Sequence, residues 1–135
     1  MTQATPAPTV RVLLIEDEET IARVLREVLE HRGHTVEVAS TGAQGIVKAR
    51  AFRPDVVLLD LGLPDVDGID LAKVIRSDPE LKHVWLVAVT AHAREPDAAL
   101  AGFDAYFHKP INLDELARHI TWNLPGRGRN TRTSR

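Results

Sequence analysis

One aspartate in this chain ends an apolar run, where an unpaired carboxylate is costly. Asp60 closes the sequence VVLLD and is followed directly by LGLPDVDG. Burial of such a charge requires a cation or hydrogen-bond donors nearby. The chain offers both, because Glu16 and Asp17 follow a second apolar run and Lys109 follows a third. We therefore expect these four groups to share one site.

Three acidic side chains held close together at neutral pH repel one another and require a counter-charge. A hard divalent cation such as Mg2+ meets that need, because it prefers carboxylate and carbonyl oxygens. Lys109 supplies a second, fixed positive charge. An aspartate within reach of a substrate can act as a nucleophile, as in aspartyl-phosphate chemistry. The cation and the lysine would then neutralise a transferring phosphoryl group, to which the hydroxyl of Thr90 could donate.

Apolar runs alternate with amphipathic stretches along the chain. Helical spacing predicts helices that begin near Ile21, Thr41 and Gly68, and a last helix over 112–123 with Asn112 as its N-cap. The six histidines show no metal-ligand spacing, and most of them are expected at the surface. The predicted strands are the runs at 10–15, 35–39, 56–60, 84–89 and 105–108.

Five strand-then-helix units predict an α/β fold with a doubly wound, five-stranded parallel sheet. The runs 10–15, 56–60 and 84–89 are nearly continuous in apolar residues, as central strands are, whereas 35–39 alternates like an edge strand. This pattern matches the flavodoxin-like (βα)5 order 2-1-3-4-5. Ligands of such sheets bind beyond the carboxyl ends of the strands. The acidic residues, Thr90 and Lys109 all fall at those ends.

Length and composition fit one ordinary globular domain. The chain has 135 residues, of which 44% are apolar and 27% charged. No apolar run approaches the roughly 20 residues of a membrane-spanning helix, and residues 1–9 lack the apolar core of a signal peptide. These features predict a cytoplasmic protein without membrane association. The absence of cysteine excludes disulfides and thiolate metal sites.

The two ends of the chain differ in charge. Residues 1–9 carry no charged side chain and are expected to be a disordered tail, before a folded domain over 10–124. Residues 125–135 are expected to be a basic disordered tail, with four arginines and no acid. Four arginines without aromatic residues are a weak signal for nucleic-acid binding, so that function is not favoured.

Four segments resemble the receiver domain of bacterial two-component response regulators. They are VRVLLIEDEE, PDVVLLDLGLPDVDG, LVAVTAHA and DAYFHKPI, and together with their spacing they extend the resemblance over about residues 10–124. The resemblance implies that Asp60 is the phosphoacceptor. It implies that Asp17 and Asp60 ligate Mg2+ directly, Glu16 through a water, and Gly62 through its backbone carbonyl.

The same resemblance implies roles for residues at the ends of the last two strands. Thr90 corresponds to the switch hydroxyl, Lys109 to the phosphate-contacting lysine, and Tyr106 to an aromatic that swings inward when the threonine moves. A cis peptide bond is implied before Pro110. The phosphoryl donor would be a sensor histidine kinase or a phosphotransfer protein, and the output an unidentified downstream protein. Such a domain catalyses only its own phosphorylation and dephosphorylation. The resemblance leaves undecided whether the protein forms a homodimer.

Several alternatives remain at this stage. The favoured interpretation is a stand-alone receiver, and the chain could also be a fragment of a larger regulator or hybrid kinase. A degenerate receiver that signals without phosphate is disfavoured, because every site residue that the resemblance implies is present. An aspartate-nucleophile phosphohydrolase is disfavoured, because Gly62 replaces the second aspartate that such enzymes use as general acid. A nucleotide-binding Rossmann protein lacks its G-x-G-x-x-G after the first strand.

One segment departs from the family pattern. The stretch from Thr90 to Lys109 is about three residues shorter than expected for a receiver. Pro96 suits the first position of a helix and Gly102 the position after its end. The interval predicts a shortened fourth helix of roughly six residues, or about 9 Å. In the family this helix belongs to the output and dimerisation face, so the usual dimerisation mode is not expected here.

Overall fold

A computed structural model describes residues 9–91 and 101–122 of the chain. The described residues form five strands and four helices, and each predicted strand is observed within one residue of its expected ends. The elements are β1 (Arg11–Ile15), α1 (Glu19–His31), β2 (Thr35–Ala39), α2 (Gly42–Phe52), β3 (Val56–Asp60), α3 (Gly68–Ser77), β4 (Trp85–Thr90), β5 (Ala105–His108) and α4 (Leu113–Trp122).

All five strands run parallel in one sheet with the order β2-β1-β3-β4-β5. This confirms the predicted doubly wound, flavodoxin-like arrangement. The chain moves outward from β1 to β2, then returns past β1 to β3 and continues in the other direction. The reversal places the switch point of the topology between β1 and β3, where ligands bind in folds of this kind.

The sheet is covered on both faces by apolar side chains that alternate along each strand. Leu59 packs on the face covered by α2 and α3, together with Ile75 of α3. Leu58 packs on the opposite face, together with Leu25 of α1 and Leu116 of α4. Strands β3 and β4 are buried at every position, whereas β2 is only partly buried. The predicted central and edge positions are therefore confirmed.

A polar side chain caps the start of each of the four helices. Each cap accepts a hydrogen bond from a backbone N–H of the first turn, which otherwise has no partner within the helix. The cap of α4 confirms the predicted role of Asn112, whose side chain accepts from the backbone N–H of Glu115 at 3.0 Å. The other caps are Glu18 on α1, Thr41 on α2 and Asp67 on α3.

The predicted shortened fourth helix, apart from Ala101, and the two predicted tails, apart from Thr9, lie on residues outside those that the structure describes. Gly102, at the start of the second described range, has a φ of 95° that favours glycine. His34 is an exception to the expected surface position of the histidines, because only 4% of it is exposed. Within 9–91 and 101–122, no helix is long and apolar enough to cross a membrane.

Candidate functional site

The carboxyl ends of the strands bring four of the predicted residues to one edge of the sheet. Glu16 follows β1 directly, Asp60 ends β3, and Thr90 ends β4. Lys109 follows β5, one position after the residue that pairs with Thr90. Because the strands are parallel and pair in register, these side chains share the edge at the switch point.

Glu16 is buried and held from two sides. Only 2% of the residue is exposed. Its Oε2 accepts a hydrogen bond from the backbone N–H of Glu18 at 3.0 Å, and its Oε1 lies 3.0 Å from Nζ of Lys109. The backbone N–H of Glu16 donates to the carbonyl of Ala39 at 2.9 Å, which ties the end of β1 to the end of β2.

Asp60 is also buried, and its two carboxylate oxygens have different partners. Oδ1 accepts from the backbone N–H of Gly62 at 2.9 Å. Oδ2 lies 3.3 Å from Nζ of Lys109. The cation and the hydrogen-bond donor that a carboxylate at a buried strand end requires are therefore both present.

Asp17 completes a cluster of three acids at this edge. One carboxylate oxygen from each of Glu16, Asp17 and Asp60 lies within 4.8 Å of the others. Asp17 is exposed whereas the other two are buried, so the cluster opens to solvent on one side. An ion can therefore reach the three oxygens from outside the protein.

The electrostatics of the cluster show an excess of negative charge. Burial raises the pKa of Glu16 to about 7, and the charge of Asp60 acts in the same direction, against the N–H of Glu18 and the ammonium of Lys109. Burial alone would lower the pKa of Lys109, but its contacts with Glu16 and Asp60 outweigh that effect and raise it. The single ammonium contacts two of the three clustered acids. Oxygen ligands with unbalanced negative charge suit a hard divalent cation.

Thr90 ends β4 at the same edge as this cluster, and Tyr106 lies on the neighbouring strand β5, opposite Ala88. Thr90 is fully buried, and its carbonyl accepts from the backbone N–H of Lys109 at 2.8 Å. Tyr106 is half-buried, packs against the core on the α2–α3 face, and meets the ring of His108 edge-on with centroids 5.0 Å apart. The peptide bond between Lys109 and Pro110 is cis, as the resemblance implied.

The loop between β3 and α3 is fixed by contacts that sequence reasoning missed. The carboxylate of Asp65 accepts from the backbone N–H groups of Gly42 and Ala43, at 2.8 and 3.1 Å. Val66 packs over Gly42, so closely that a Cβ at Gly42 would overlap its methyl group. No local signal in the sequence connects this loop with the start of α2, because the partners lie on separate elements.

The fold and the acidic site point to one class of signalling domain, and comparison with known proteins agrees. Residues 12–121 match the family model described as "Response regulator receiver domain". The chain belongs to this family. Response regulator receivers are phosphorelay signalling domains rather than conventional enzymes. They interact with kinases or phosphotransfer proteins and with downstream effectors, and they bind Mg2+ in an acidic pocket.

Individual relatives extend over nearly the same length. The chain is 34% identical over 112 residues to the polar-differentiation response regulator DivK of Brucella anthropi, covering 81% of this chain and 91% of the relative. A crystal structure of a putative response regulator from Chloroflexus aurantiacus has a TM-score of 0.79 at 28% identity, covering 84% and 95% of the two chains. A CheY-like receiver domain protein from Methanospirillum hungatei has a TM-score of 0.78 at 28% identity, covering 84% and 91%.

Proposed function

We propose that this protein accepts a phosphoryl group on Asp60, in a Mg2+-dependent reaction, from a sensor histidine kinase or a phosphotransfer protein. Phosphorylation would change a surface that binds a downstream protein. The observation that carries the proposal is the setting of Asp60. Its carboxylate lies in a cluster of three acids that is open to solvent, with the ammonium of Lys109 at 3.3 Å.

Several residues around Asp60 would together ligate a cation. Asp17, Asp60 and the backbone carbonyl of Gly62 would ligate Mg2+ directly, with Glu16 acting through a water. When bound, Mg2+ would neutralise charge on the oxygens of the transferring phosphoryl group. Asp17 is exposed on the open side of the cluster, which fits direct ligation, whereas both oxygens of the buried Glu16 already have partners in Glu18 and Lys109, which fits contact through a water.

The transfer itself requires one nucleophile and fixed positive charge. A carboxylate oxygen of Asp60 forms a bond to phosphorus while the phosphorus–nitrogen bond of a phosphohistidine breaks, and its electron pair returns to the imidazole of the donor. Lys109, already 3.3 Å from Oδ2 of Asp60, would contact an oxygen of the arriving group and offset its charge. Hydrolysis of the acylphosphate by water would then return Asp60 to its free state.

The signal would leave the site through Thr90 and Tyr106. The hydroxyl of Thr90 would donate to the phosphoryl group, and Tyr106, on the adjacent strand, would move inward as Thr90 shifts. Tyr106 suits this role because it is half-buried at an edge strand, between the core and the surface. We place the protein in the cytoplasm, with protein partners rather than a membrane or nucleic acid.

The proposal is tested by chemical phosphorylation with a small donor. The full chain is incubated with Mg2+ and acetyl phosphate, and intact mass is measured for the wild type, Asp60→Asn and Asp70→Asn. Asp70 is an exposed acid in the first turn of α3 and serves as the matched control. We expect a base-labile gain of one phosphoryl group in the wild type and in the control, and none in Asp60→Asn or after chelation.

Three results would overturn parts of this assignment. An adduct that persists in Asp60→Asn would place the acceptor elsewhere. An unmodified wild type would favour a receiver that signals without phosphate. Sustained turnover of small phosphate esters would instead identify a phosphohydrolase.

A further inference from the structure

We propose that Asp65 is a positioning residue that sets the divalent-cation affinity of the site by fixing the β3–α3 loop, residues 61–67, against the start of α2. This inference rests on the proposed function, because it concerns the loop that carries Gly62. Asp65 lies outside the acidic cluster and would not contact the cation. Its effect would pass through the backbone of the loop.

The carboxylate of Asp65 binds the first turn of α2 with both oxygens. Oδ1 accepts from the N–H of Gly42 at 2.8 Å and Oδ2 from the N–H of Ala43 at 3.1 Å. These hydrogen bonds lower the pKa of Asp65. Charged acceptors make stronger hydrogen bonds than neutral ones, and two bonds in parallel also fix an orientation. The tip of the loop is thus tied to a separate helix.

The neighbouring side chain adds a steric contact at the same place. Val66 packs into the space that the missing side chain of Gly42 leaves open. A Cβ there would overlap Cγ1 of Val66 and would meet Oδ1 of Asp65 at 3.5 Å. The polar and the apolar contact therefore depend on the same residue of α2, and both determine how far the loop lies from that helix.

The two ends of the loop are fixed just as tightly to the acceptor strand. Leu61 and Leu63 are buried in the core, and the backbone N–H of Gly68 donates to the carbonyl of Leu61 at 3.1 Å. A Cβ at Gly68 would lie only 2.5 Å from Cα of Leu61. Gly62 lies between Leu61 and Leu63, with its N–H on Asp60. Only Pro64 separates Leu63 from Asp65, so the position of the loop tip would constrain the position of the Gly62 carbonyl.

The end of β2, which leads into α2, also contacts the other side of the acidic cluster. The carbonyl of Ala39, which ends β2, accepts from the backbone N–H of Glu16 at 2.9 Å. A short segment, 39–43, thus touches both the strand end that carries Glu16 and the loop that carries Gly62. No residue of this segment belongs to the cluster itself. We call segment 39–43 the brace, because it would fix the distance between the strand end that carries Glu16 and the loop that carries Gly62.

The test compares Mg2+ affinity, by isothermal titration calorimetry, in the wild type and four variants of the full chain. Asp65→Ala removes both acceptors, Asp65→Asn keeps one, Gly42→Ala displaces Val66 without changing charge, and Asp70→Ala removes a nearby charge without touching the brace. Loss of a group that hydrogen-bonds a metal ligand lowers metal affinity by about 10- to 100-fold. Asp65 acts one step further from the ion, so we expect Kd to rise by up to about 10-fold in Asp65→Ala. Gly42→Ala should also raise Kd. Asp65→Asn should raise Kd less than Asp65→Ala does, and Asp70→Ala should raise it least of the four variants.

The outcomes separate this inference from the proposed function. If the wild type binds Mg2+ and Asp65→Ala has the same Kd as Asp70→Ala, only the loss of charge affects Mg2+ binding. That result overturns this inference and leaves the proposed function standing. If Asp65→Ala does not fold, Gly42→Ala decides, and an unchanged Kd in that variant overturns the inference. A wild type that does not bind Mg2+ overturns it together with the cation in the proposed function. A purely structural role would lower the metal-free Tm and leave Kd unchanged.

Discussion

The ammonium of Lys109 lies 3.0 Å from Oε1 of Glu16, so a fixed cation already faces the acidic cluster. This contact has opposite consequences for the two partners that the site must accept. The ammonium attracts an incoming phosphoryl group but repels Mg2+. Lys109 therefore favours the transfer of the phosphoryl group and disfavours the binding of Mg2+.

Lys109→Ala should consequently strengthen Mg2+ binding while it weakens phosphorylation. Two unit charges 4 Å apart interact by about 4 kcal/mol at an effective dielectric constant of 20. A tenfold gain in Mg2+ affinity corresponds to about 1.4 kcal/mol, so removal of only part of this repulsion is sufficient. Calorimetry at mildly alkaline pH, where the carboxylates are ionised, measures the gain. Acetyl phosphate labelling measures the loss.

Lys82→Ala provides the control for Lys109→Ala, because Lys82 is exposed at the turn that follows α3. It should change neither quantity. A decrease in Mg2+ affinity in Lys109→Ala would show that the lysine organises the acids more than it repels the cation.

Gly68→Ala should destabilise the protein, although alanine is the better helix former. A Cβ at Gly68 would lie 2.5 Å from Cα of Leu61 and 2.9 Å from the carbonyl oxygen of Asp60, and neither backbone atom can move cheaply. Overpacking of this kind costs about 1–3 kcal/mol. The free energy of unfolding from urea titration should fall by that amount, and labelling of Asp60 should slow.

The matched control for Gly68→Ala is Gly62, in the loop that precedes α3. At Gly62 a Cβ would meet only Oδ1 of Asp60, at 3.7 Å, which is an ordinary contact. Gly62→Ala should therefore remain close to the wild type in stability. Equal losses in both variants would contradict a role for the close approach at Gly68.

Arg76→Ala should cost far more stability than loss of an exposed ion pair. The guanidinium of Arg76 lies 2.8 Å from Oδ2 of Asp104 and also donates to the carbonyls of Gly102, Lys82 and Val84. The Asp104 side chain is only 5% exposed, so in the variant its buried carboxylate would have no guanidinium to balance its charge. Removal of one partner from a buried pair costs about 3 kcal/mol or more.

A urea titration measures the effect of Arg76→Ala, with Arg26→Ala beside it. Arg26 pairs with Glu30 at 3.0 Å on the exposed face of α1, with both side chains more than two-fifths exposed. Such pairs contribute about 0.3–0.5 kcal/mol. A difference between the two variants that is no larger than this would contradict the importance of the buried pair.

His34 should make the protein less stable in mild acid. Burial is the main cause that lowers its pKa below the usual 6.5, with the charge of Arg32 as a second cause. Its Nδ1 accepts from the backbone N–H of Val10 at 3.1 Å, and that bond needs the unprotonated nitrogen. Because the unfolded chain binds the proton first, stability is complete above about pH 6.5 and falls as pH decreases toward the folded-state pKa.

His34→Asn tests this pH dependence, since the amide oxygen can replace Nδ1 as the acceptor without titrating. Unfolding free energies of both proteins are compared at about pH 8 and about pH 5. The wild type should lose more stability than the variant, with about 1.4 kcal/mol for each pH unit that separates the unfolded and folded pKa values. Parallel losses would assign the acid sensitivity to other groups.

Most of the fold could be predicted from the sequence because it follows from local periodicity. The buried strands β3 and β4 appear as continuous apolar runs, and the alternation in β2 indicates an edge position. Asn112 was predicted as a cap from its own spacing to Glu115. The strand order followed from the distinction between central and edge strands, since few topologies satisfy both that distinction and right-handed crossovers.

The candidate site was only partly predictable. The four charged groups could be predicted to meet, because the carboxyl ends of parallel strands share one edge. The sequence could not show that Glu16 is buried while Asp17 is exposed, since that depends on packing around β1. Contacts across the fold, such as Asp65 with α2 or Arg76 with Asp104, leave no periodic signal. His34 looked like a surface histidine because its contact with the backbone N–H of Val10 joins residues 24 positions apart in the chain.

The position of the acidic cluster links its ligands to the cooperativity of folding. Glu16 and Asp17 lie near the start of the chain, Asp60 at its middle and Lys109 near its end, so a fragment contains the whole set only if it spans residues 16–109. An ion bound by these groups would bind the native state alone. By mass action it would add about 2.7 kcal/mol to the free energy of unfolding at a concentration of 100 times Kd. The magnesium concentration around the protein would then regulate its resistance to unfolding as well as its chemistry.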